Sequence, residues 1–507
     1  MSSLSTPAAP TSTGGTRLRG GTVQACVCLC TLLVVGFVAS INLAVPELAA
    51  SALRPSSAQL LWIVDAYVVL FGCLVVPAGA LGDRLGRKGV LLGGLLLFAL
   101  GAAVSAAAPD VAVMLAGRAV TGVGAACVLP NALAVLIHAT EPARRPRAIA
   151  VWASMSGVGG AVGNLGGGAV LSAGSWRLLF AVAAAAAVGC AGWAAVAAPR
   201  SPRHDRGLDL PAAGALTLAT LALLLGIIQG PEQGWGSAFV IGAFAVSCLL
   251  YGLWVLGGLR ARRPLLDPRL FAVPALRAAC LGMLVVFFGM FGFFFLNASL
   301  MQYSRGFSVL QTGLGVVPLT IPLLAGSRYV PGLVARFGDR RVLAVAFLLV
   351  GAGIAGSATA LDESYPVYAV WLVVLGSGAA LALPALTAVI AVALPREQAG
   401  VAGGLQATTR ELGSALGVAL VGTLLTSRFV HALPGRAPDA VVDGHVPHTV
   451  AEALATAAPT HRGGVVSAYT AGADGALKTV ALIVLAAGAL VVAEMSWAAR
   501  RAGSGRE

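Results

Sequence analysis

Gly79-Ala80-Leu81-Gly82-Asp83-Arg84-Leu85-Gly86-Arg87-Lys88 breaks into a long apolar stretch with three glycines, one carboxylate and three cations. Glycine permits a tight turn and a close approach of neighbouring segments. An Asp beside Arg groups can make charge-assisted hydrogen bonds that hold one arrangement of the chain. The segment therefore reads as a turn with a latch built into it. On either side, residues 60–80 and 89–108 are almost wholly apolar, and about 20 such residues suffice to cross a bilayer.

Working outward, the same pattern repeats along the chain. Of 507 residues, 58% are hydrophobic and 10% charged, and the mean hydropathy is +0.89. Soluble domains carry roughly 25% charged residues, so the bilayer is the natural solvent. Fourteen spans are expected, near 24–45, 60–80, 89–108, 111–137, 148–171, 178–198, 210–229, 237–258, 278–300, 311–333, 342–361, 366–394, 400–426 and 475–497. The fold class is thus an all-α polytopic membrane protein. The first apolar run is too long for a cleavable signal. The net charge of +13 does not read as nucleic-acid binding, because the cations sit in short gaps between apolar runs.

Those gaps set the expected orientation. With the N-terminus inside, cytoplasmic gaps hold 23 basic residues and external gaps hold six, Arg54, Arg177, Arg305, Arg428, Arg436 and Arg462. This is a positive-inside pattern. Both termini are expected in the cytoplasm and the chain in the plasma membrane. The longest external segment, 427–473, contains His431, His445, His448 and His461. It reads as loop with a short helix near 449–457, and its scattered histidines lack ligand spacing. The eight cysteines all fall in apolar stretches, and Cys26, Cys28 and Cys30 cannot converge on one ion because residues two apart diverge on a helix. No metal site is expected.

The chain also repeats itself. Gly122, Gly124 and Pro130 recur as Gly376, Gly378 and Pro384, Gly159 and Gly163 recur as Gly413 and Gly417, and Arg84-x-Gly86 recurs as Arg336-x-Gly338. An even number of spans separates the copies, so the repeat is parallel. Two bundles follow, 24–198 and 278–497, with residues 199–277 carrying an extra pair of spans. Tails 1–23 and 498–507 flank them. Parallel six-helix repeats suit alternating access. Gly159, Gly163, Gly167 and Gly168 with Asn164 make one side of the fifth span thin, which fits close helix packing, a sliding interface between bundles, or both.

The latch segment resembles the signature loop between the second and third helices of the major facilitator superfamily. Further motifs are similar to its fourteen-helix drug:proton antiporter branch. These are Gln59-Leu-Leu-Trp62-Ile-Val-Asp65-Ala-Tyr67, Leu115-Ala-Gly-Arg118-Ala-Val-Thr-Gly122-Val-Gly124, Trp176-Arg177, Leu208-Asp-Leu-Pro211 and Pro264-Leu-Leu-Asp267. The resemblance covers nearly the whole chain. It implies secondary transport, energised by a proton gradient without a cofactor, with Gly79, Asp83, Arg84, Gly86, Arg87 and Lys88 as a conformational latch. Two positions depart from the branch. Where it places an Asp before Asn42-Leu-Ala-Val-Pro46 this chain has Phe37, and where it places a Pro after Gly163 this chain has Asn164.

Charges inside spans are costly, about 2.5–3.5 kcal/mol each on insertion scales, and mark function by default. Asp65 lies roughly 8 Å below the external end of its helix and Arg118 roughly 10 Å below. A carboxylate at that depth can load and release a proton, while the guanidinium must find acceptors. The resemblance implies a part in proton transfer for Arg118. Arg410 and Glu411 sit in mid-span. Adjacent helical residues diverge by about 100°, so they are not expected to pair, and Glu411 is the expected substitute for the carboxylate missing at Phe37. Glu494 and Arg328, nearer the inner face, are expected to snorkel. Phe37, Asn42, Tyr67, Gln229, Asn297, Gln302 and Arg410 are expected to line a substrate cavity, with Tyr303, Phe287, Phe288 and Phe291 as further candidates.

The expected function is proton-coupled export of drugs, antibiotics or other small amphipathic molecules by a monomer. Facilitated or symported movement of a metabolite is the alternative. A non-transporting sensor or an enzyme is disfavoured, since no signalling domain, P-loop or catalytic constellation is present in the sequence.

Overall fold

A computed structural model describes residues 13–504 apart from 50, 56, 201–208, 262–263, 265, 395–398, 442–445 and 448–449. The expected sites at His445 and His448, and Leu208 and Leu265 of the flanking motifs, lie outside the described residues. Among the described residues there is no strand, and fourteen helices are long and apolar enough to cross a membrane. They are α1 (Gly21–Val45), α2 (Trp62–Leu85), α3 (Arg87–Ala106), α4 (Val111–Ala139), α5 (Pro142–Ala173), α6 (Trp176–Ala197), α7 (Leu210–Gln233) and α8 (Ala238–Arg260). The second half supplies α9 (Pro274–Ser304), α10 (Gln311–Phe337), α11 (Asp339–Thr359), α12 (Tyr365–Ala393), α13 (Val401–Arg436) and α14 (Arg462–Trp497).

Glycine decides how they pack. Without a hydrophobic force between helices in lipid, association depends on close van der Waals contact. A Cβ on Gly122 would stand 2.7 Å from the Tyr67 carbonyl oxygen of α2, and the repeat partner Gly376 meets Leu319 of α10 in the same way. Gly124 faces Phe98 of α3, and Gly378 faces Val350 of α11 with 2.6 Å to its nitrogen. Gly163 lies against Gly36 of α1, and Gly417 against Phe288 of α9. The receiving residues are separated by the same 252 positions as the two Arg-x-Gly motifs. Each half therefore folds by the same contacts, 1 on 5, 3 on 4, 3 on 6 and 2 on 4.

The two bundles meet along two seams, α2 and α4 against α13, and α10 and α12 against α5. The extra pair is asymmetric. Helix α7 packs on α2 and α13, and α8 packs on α7. Exposed Ile241, Leu249, Leu253 and Leu256 on α8 suit a hydrocarbon surround.

Two expectations are corrected. The tenth span is segmented, as Val309–Leu314, Val317–Gly326, a tight turn at Ser327–Tyr329, and Val330–Phe337, because Pro318, Pro322 and Pro331 each remove a backbone donor. The 427–473 segment is not mainly loop. Helix α13 runs on to Arg436, α14 begins at Arg462, and between them lies the short helix Val450–Thr456. Side chains beyond the apolar run hold these extensions together: Phe429 and Tyr469 meet edge to face at 6.4 Å, and the Arg428 guanidinium donates to Thr479 at 3.4 Å. Hydropathy marks where the bilayer ends and not where a helix ends. At the tip, the Ala458 N–H donates to Asp439 at 2.6 Å and His461 faces the same carboxylate at 2.9 Å. These contacts, the Ala458 N–H first, hold the Asp439 carboxyl below the usual carboxylate range.

Candidate functional site

The latch forms where α2 turns into α3. Gly86 takes φ 105°, a conformation that a side chain would strain. Asp83, buried one turn before, accepts a hydrogen bond from Arg87 Nε at 2.9 Å. Its second oxygen accepts the Val401 N–H at 3.3 Å. Val401 lies in the first turn of α13, where unsatisfied N–H groups and the helix dipole favour an anion. One carboxylate of the first bundle thus caps a helix of the second. Lys88 donates to the Ala195 carbonyl of α6 at 2.7 Å, inside its own bundle. Arg84, expected in the latch, is exposed. Behind the cap the backbones are nearly in contact: a Cβ at Gly404 would lie 2.7 Å from Val76 Cα, and one at Gly403 2.9 Å from Pro130 Cα.

Above the latch lies Arg118, fully buried. Its Nε donates to the Ile63 carbonyl at 2.6 Å and its Nη2 to the Val64 carbonyl at 3.2 Å. The guanidinium carbon stands 4.8 Å from the Tyr67 ring centroid and 5.2 Å from that of Phe37, close enough for cation–π attraction. Asp65 is on the same turn of α2 as those carbonyls, within electrostatic reach of Arg118. Phe37 and Tyr67 were expected to line a cavity. Instead both are buried in an aromatic core with Phe98 and Phe180, and the Tyr67 hydroxyl is tied to the Val34 carbonyl at 3.0 Å. An apolar ring at position 37 completes that core, and Arg118 binds carbonyls and ring faces there.

Arg410 and Glu411 do pair, contrary to expectation. Arg410 donates through Nε at 2.9 Å and Nη2 at 2.7 Å to the same Glu411 oxygen. The backbone directions diverge, but the arginine stem is long enough to fold back, and a buried charge without a partner is far more costly than a bent side chain. The pair lies between the bundles. The guanidinium carbon is 5.4 Å from the Phe71 centroid on α2 and 5.9 Å from that of Phe287 on α9, and Glu411 Cβ would touch a side chain placed at Gly72.

Other candidates are dispersed. Asn42 is exposed, with a long bond to Val38 at 3.4 Å. Gln229 accepts from Gln233 on α7. Asn297 is buried inside the second bundle, accepting the Tyr368 hydroxyl at 2.7 Å. Gln302 and Tyr303 lie in the wide last turn of α9, with Tyr303 against Tyr469. The Phe288 carbonyl stands where a Cβ on Gly417 would go, and Phe291 packs on Phe287. The α5 glycines Gly159, Gly163 and Gly167 face Val35, Gly36 and Ser40 of α1 within their own bundle, and Gly168 only approaches Leu43. The stripe is therefore packing inside one bundle and not a sliding interface. Gly157, one residue outside that stripe, meets Leu323 and Leu383 of the second bundle. Glu494 pairs with Arg277 where snorkelling alone was expected. Sequence reasoning missed Phe71 and the Gly403-Gly404 pair. Phe71 stands one turn from Tyr67 and stacks on it at 6.0 Å, a spacing that carried a signal.

The family profile described as the Major Facilitator Superfamily matches residues 27–418. The chain belongs to the Major Facilitator Superfamily. As a member of that superfamily it is a multi-pass membrane transporter of small molecules and not an enzyme. It is 34% identical over 426 residues to the cephamycin export protein of Amycolatopsis lactamdurans, covering 82% of this chain and 87% of that protein. It is 31% identical over 404 residues to the methylenomycin A resistance protein of Streptomyces coelicolor, covering 78% and 85%. The multidrug efflux pump LfrA of Mycolicibacterium smegmatis is 29% identical over 421 residues, covering 82% and 83%. The fold matches the crystal structure of the human organic anion transporter MFSD10, at TM-score 0.61 and 19% identity over 93% of this chain and 99% of that one. It also matches a bacterial homolog of the lysosomal transporter Spinster, in an inward-facing and unoccupied conformation, at TM-score 0.61 and 16% identity.

Proposed function

We propose that this superfamily member exports drugs, antibiotics or other small amphipathic organic molecules across the plasma membrane in exchange for protons. The observation that carries the coupling is the Arg410–Glu411 pair, buried between Phe71 of one bundle and Phe287 of the other. Ionised Glu411 neutralises Arg410 and lets α13 sit tightly on α2. A proton on Glu411 removes that neutralisation, so the buried guanidinium must seek other acceptors, and the seam is biased toward its other packing. Asp65 is the second proton-binding group, balanced against Arg118. Names of relatives that confer resistance to, or export, antibiotics support the substrate class. The transporter acts as a monomer with both termini in the cytoplasm and draws on the proton gradient without a cofactor.

The test is reconstitution in proteoliposomes with an imposed pH gradient and a panel of drugs. Wild-type protein moves at least one drug and carries protons the opposite way; Asp65→Asn and Glu411→Gln lose the gradient dependence. If both variants exchange as wild type does, the coupling assignment is wrong. Impermeant labelling of cysteines placed at positions 84 and 500 is expected from the same, cytoplasmic, side.

A further inference from the structure

Helices α7 and α8 have no counterpart in the repeat, yet they hold together as one hairpin. The Thr220 and Tyr251 hydroxyls share a hydrogen bond at 2.9 Å, and Ser247 donates to the Ala219 carbonyl at 2.9 Å. Gly226 leaves room for the Phe244 ring and Gly230 for the Trp235 indole, which stacks on Phe244 at 6.5 Å. At the end remote from the latch the hairpin is joined to the second bundle, where the Trp235 indole donates to Thr423 of α13 at 3.2 Å. Helix α7 is thereby held along the charged seam, against both α2 and α13.

The middle of α7 reaches the coupling pair across a glycine. Gly404 and Glu411 of α13 are seven residues apart and so lie on one face of their helix. Gly404 brings the backbones of α13 and α2 together at Val76. One turn along α2 from Val76 is Gly72, where a Cβ would stand 3.5 Å from Glu411 Cβ and 3.0 Å from a methyl carbon of Leu224. Leu224 is fully buried. The leucine of the inserted helix and the stem of Glu411 thus meet over the bare backbone of Gly72. In the second half the position corresponding to Gly72 is Leu324, which is exposed. The repeat leaves a gap in α2 only where the inserted helix covers it.

We infer that Leu224 is a positioning residue for the coupling pair: it seals the Arg410–Glu411 site along α7, so that protons reach Glu411 only when the bundles move. This rests on the reading of that pair as the coupling site. An ion pair keeps its low-dielectric strength only while it stays dry. A void beside it draws in water, because charged groups supply the hydrogen-bond partners that a buried water needs. Water standing at Glu411 in a closed seam passes protons without transport. The Trp235–Thr423 bond fastens the hairpin to α13, the helix that carries the pair, so the seal travels with the pair.

The experiment follows proton entry into pyranine-loaded phosphatidylcholine vesicles that hold the full chain, after a pH jump and with no drug present. Wild-type vesicles stay tight. Leu224→Ala is expected to admit protons several-fold faster, and the leak is expected to vanish in Leu224→Ala with Glu411→Gln, because it passes through that carboxyl. Leu224→Met, of similar volume, stays tight, as does Leu218→Ala on the exposed side of α7. Gly72→Ala placed in the Leu224→Ala background narrows the leak, since the new methyl lies beside the vacated space. A merely structural loss leaks whatever stands at 411. Leu224→Ala vesicles as tight as wild type, or a leak that Glu411→Gln leaves untouched, overturn this inference alone; if Leu224→Ala does not fold, Leu224→Val is read in its place. The coupling reading falls separately, when Glu411→Gln keeps the gradient dependence of drug exchange.

Discussion

The two seams between the bundles are related by the repeat but built from different materials. The seam of α2 and α4 on α13 carries charge: Asp83 caps α13, Arg410 and Glu411 pair beneath two aromatic rings, and Gly403 and Gly404 bring backbones together. The seam of α10 and α12 on α5 is apolar at Gly157, which lies under the methyls of Leu323 and Leu383, and farther along it takes in the turn Ser327–Tyr329. The residue corresponding to Asp83 in the second half is Ala335. A polar seam in a dry interior has two discrete states, made and broken. An apolar seam slides with little change in energy. Under the proposed function, the charged seam is the switch and the seam on α5 is the hinge.

The strongest test of that division is the buried pair. Glu411→Ala leaves Arg410 charged and alone, and is expected to cost about 3–5 kcal/mol of stability, read as a lower melting temperature in detergent. The double variant Arg410→Met with Glu411→Leu is expected to recover most of that loss while remaining inactive in gradient-driven transport. Recovery of transport as well would dissolve the distinction between the seams.

Steric variants sharpen it next. Gly404→Val forces atoms onto Val76 Cα, an overpacking cost of about 1–3 kcal/mol, and is expected to open the end beside the latch to cysteine labelling. Gly157→Ala meets only leucine methyls at 3.1–3.2 Å, flexible ends that can yield, and is expected to be mild. Equal responses would contradict the assignment of switch and hinge.

Asp83→Asn keeps a capping oxygen but removes its charge. About 1 kcal/mol is expected, seen as faster labelling at a cysteine placed at 401 with little change in melting.

The smallest effect lies outside both seams, at the Asp439 clasp. A carboxyl held below its unfolded value stabilises above that value and loses the contribution as pH falls through the folded one. The clasp is therefore closed at neutral pH and released in acid, below about pH 4. Pepsin cleavage between residues 437 and 461 is expected to accelerate as the pH falls below that point. In Asp439→Asn it is expected to be fast throughout, with transport unchanged.

Much of this was legible in the chain. Hydropathy located fourteen spans because each must bury some 20 residues in lipid, and the recurrent glycines announced the repeat because close helix contact has few chemical solutions. Asp83 and Gly86 were legible for the same reason, each answering a local demand of a turn. The cavity residues were not. Phe37, Tyr67 and Asn297 look like lining residues on a helical wheel, but their faces turn into the bundles. A wheel gives the direction of a side chain and not what stands opposite. The same limit hid the Arg410–Glu411 pair, whose formation depends on how far an arginine stem folds back in a dry site.

The sequence by itself determined the solvent, the number of crossings and the two-fold plan, since these follow from the transfer of apolar surface and from local backbone sterics. Only the tertiary structure decided which seam holds the charges, and which arginine found carbonyls and which a carboxylate. Those are facts of distance between residues far apart in the chain. Inside a membrane, electrostatic energy depends on such distances far more steeply than on composition.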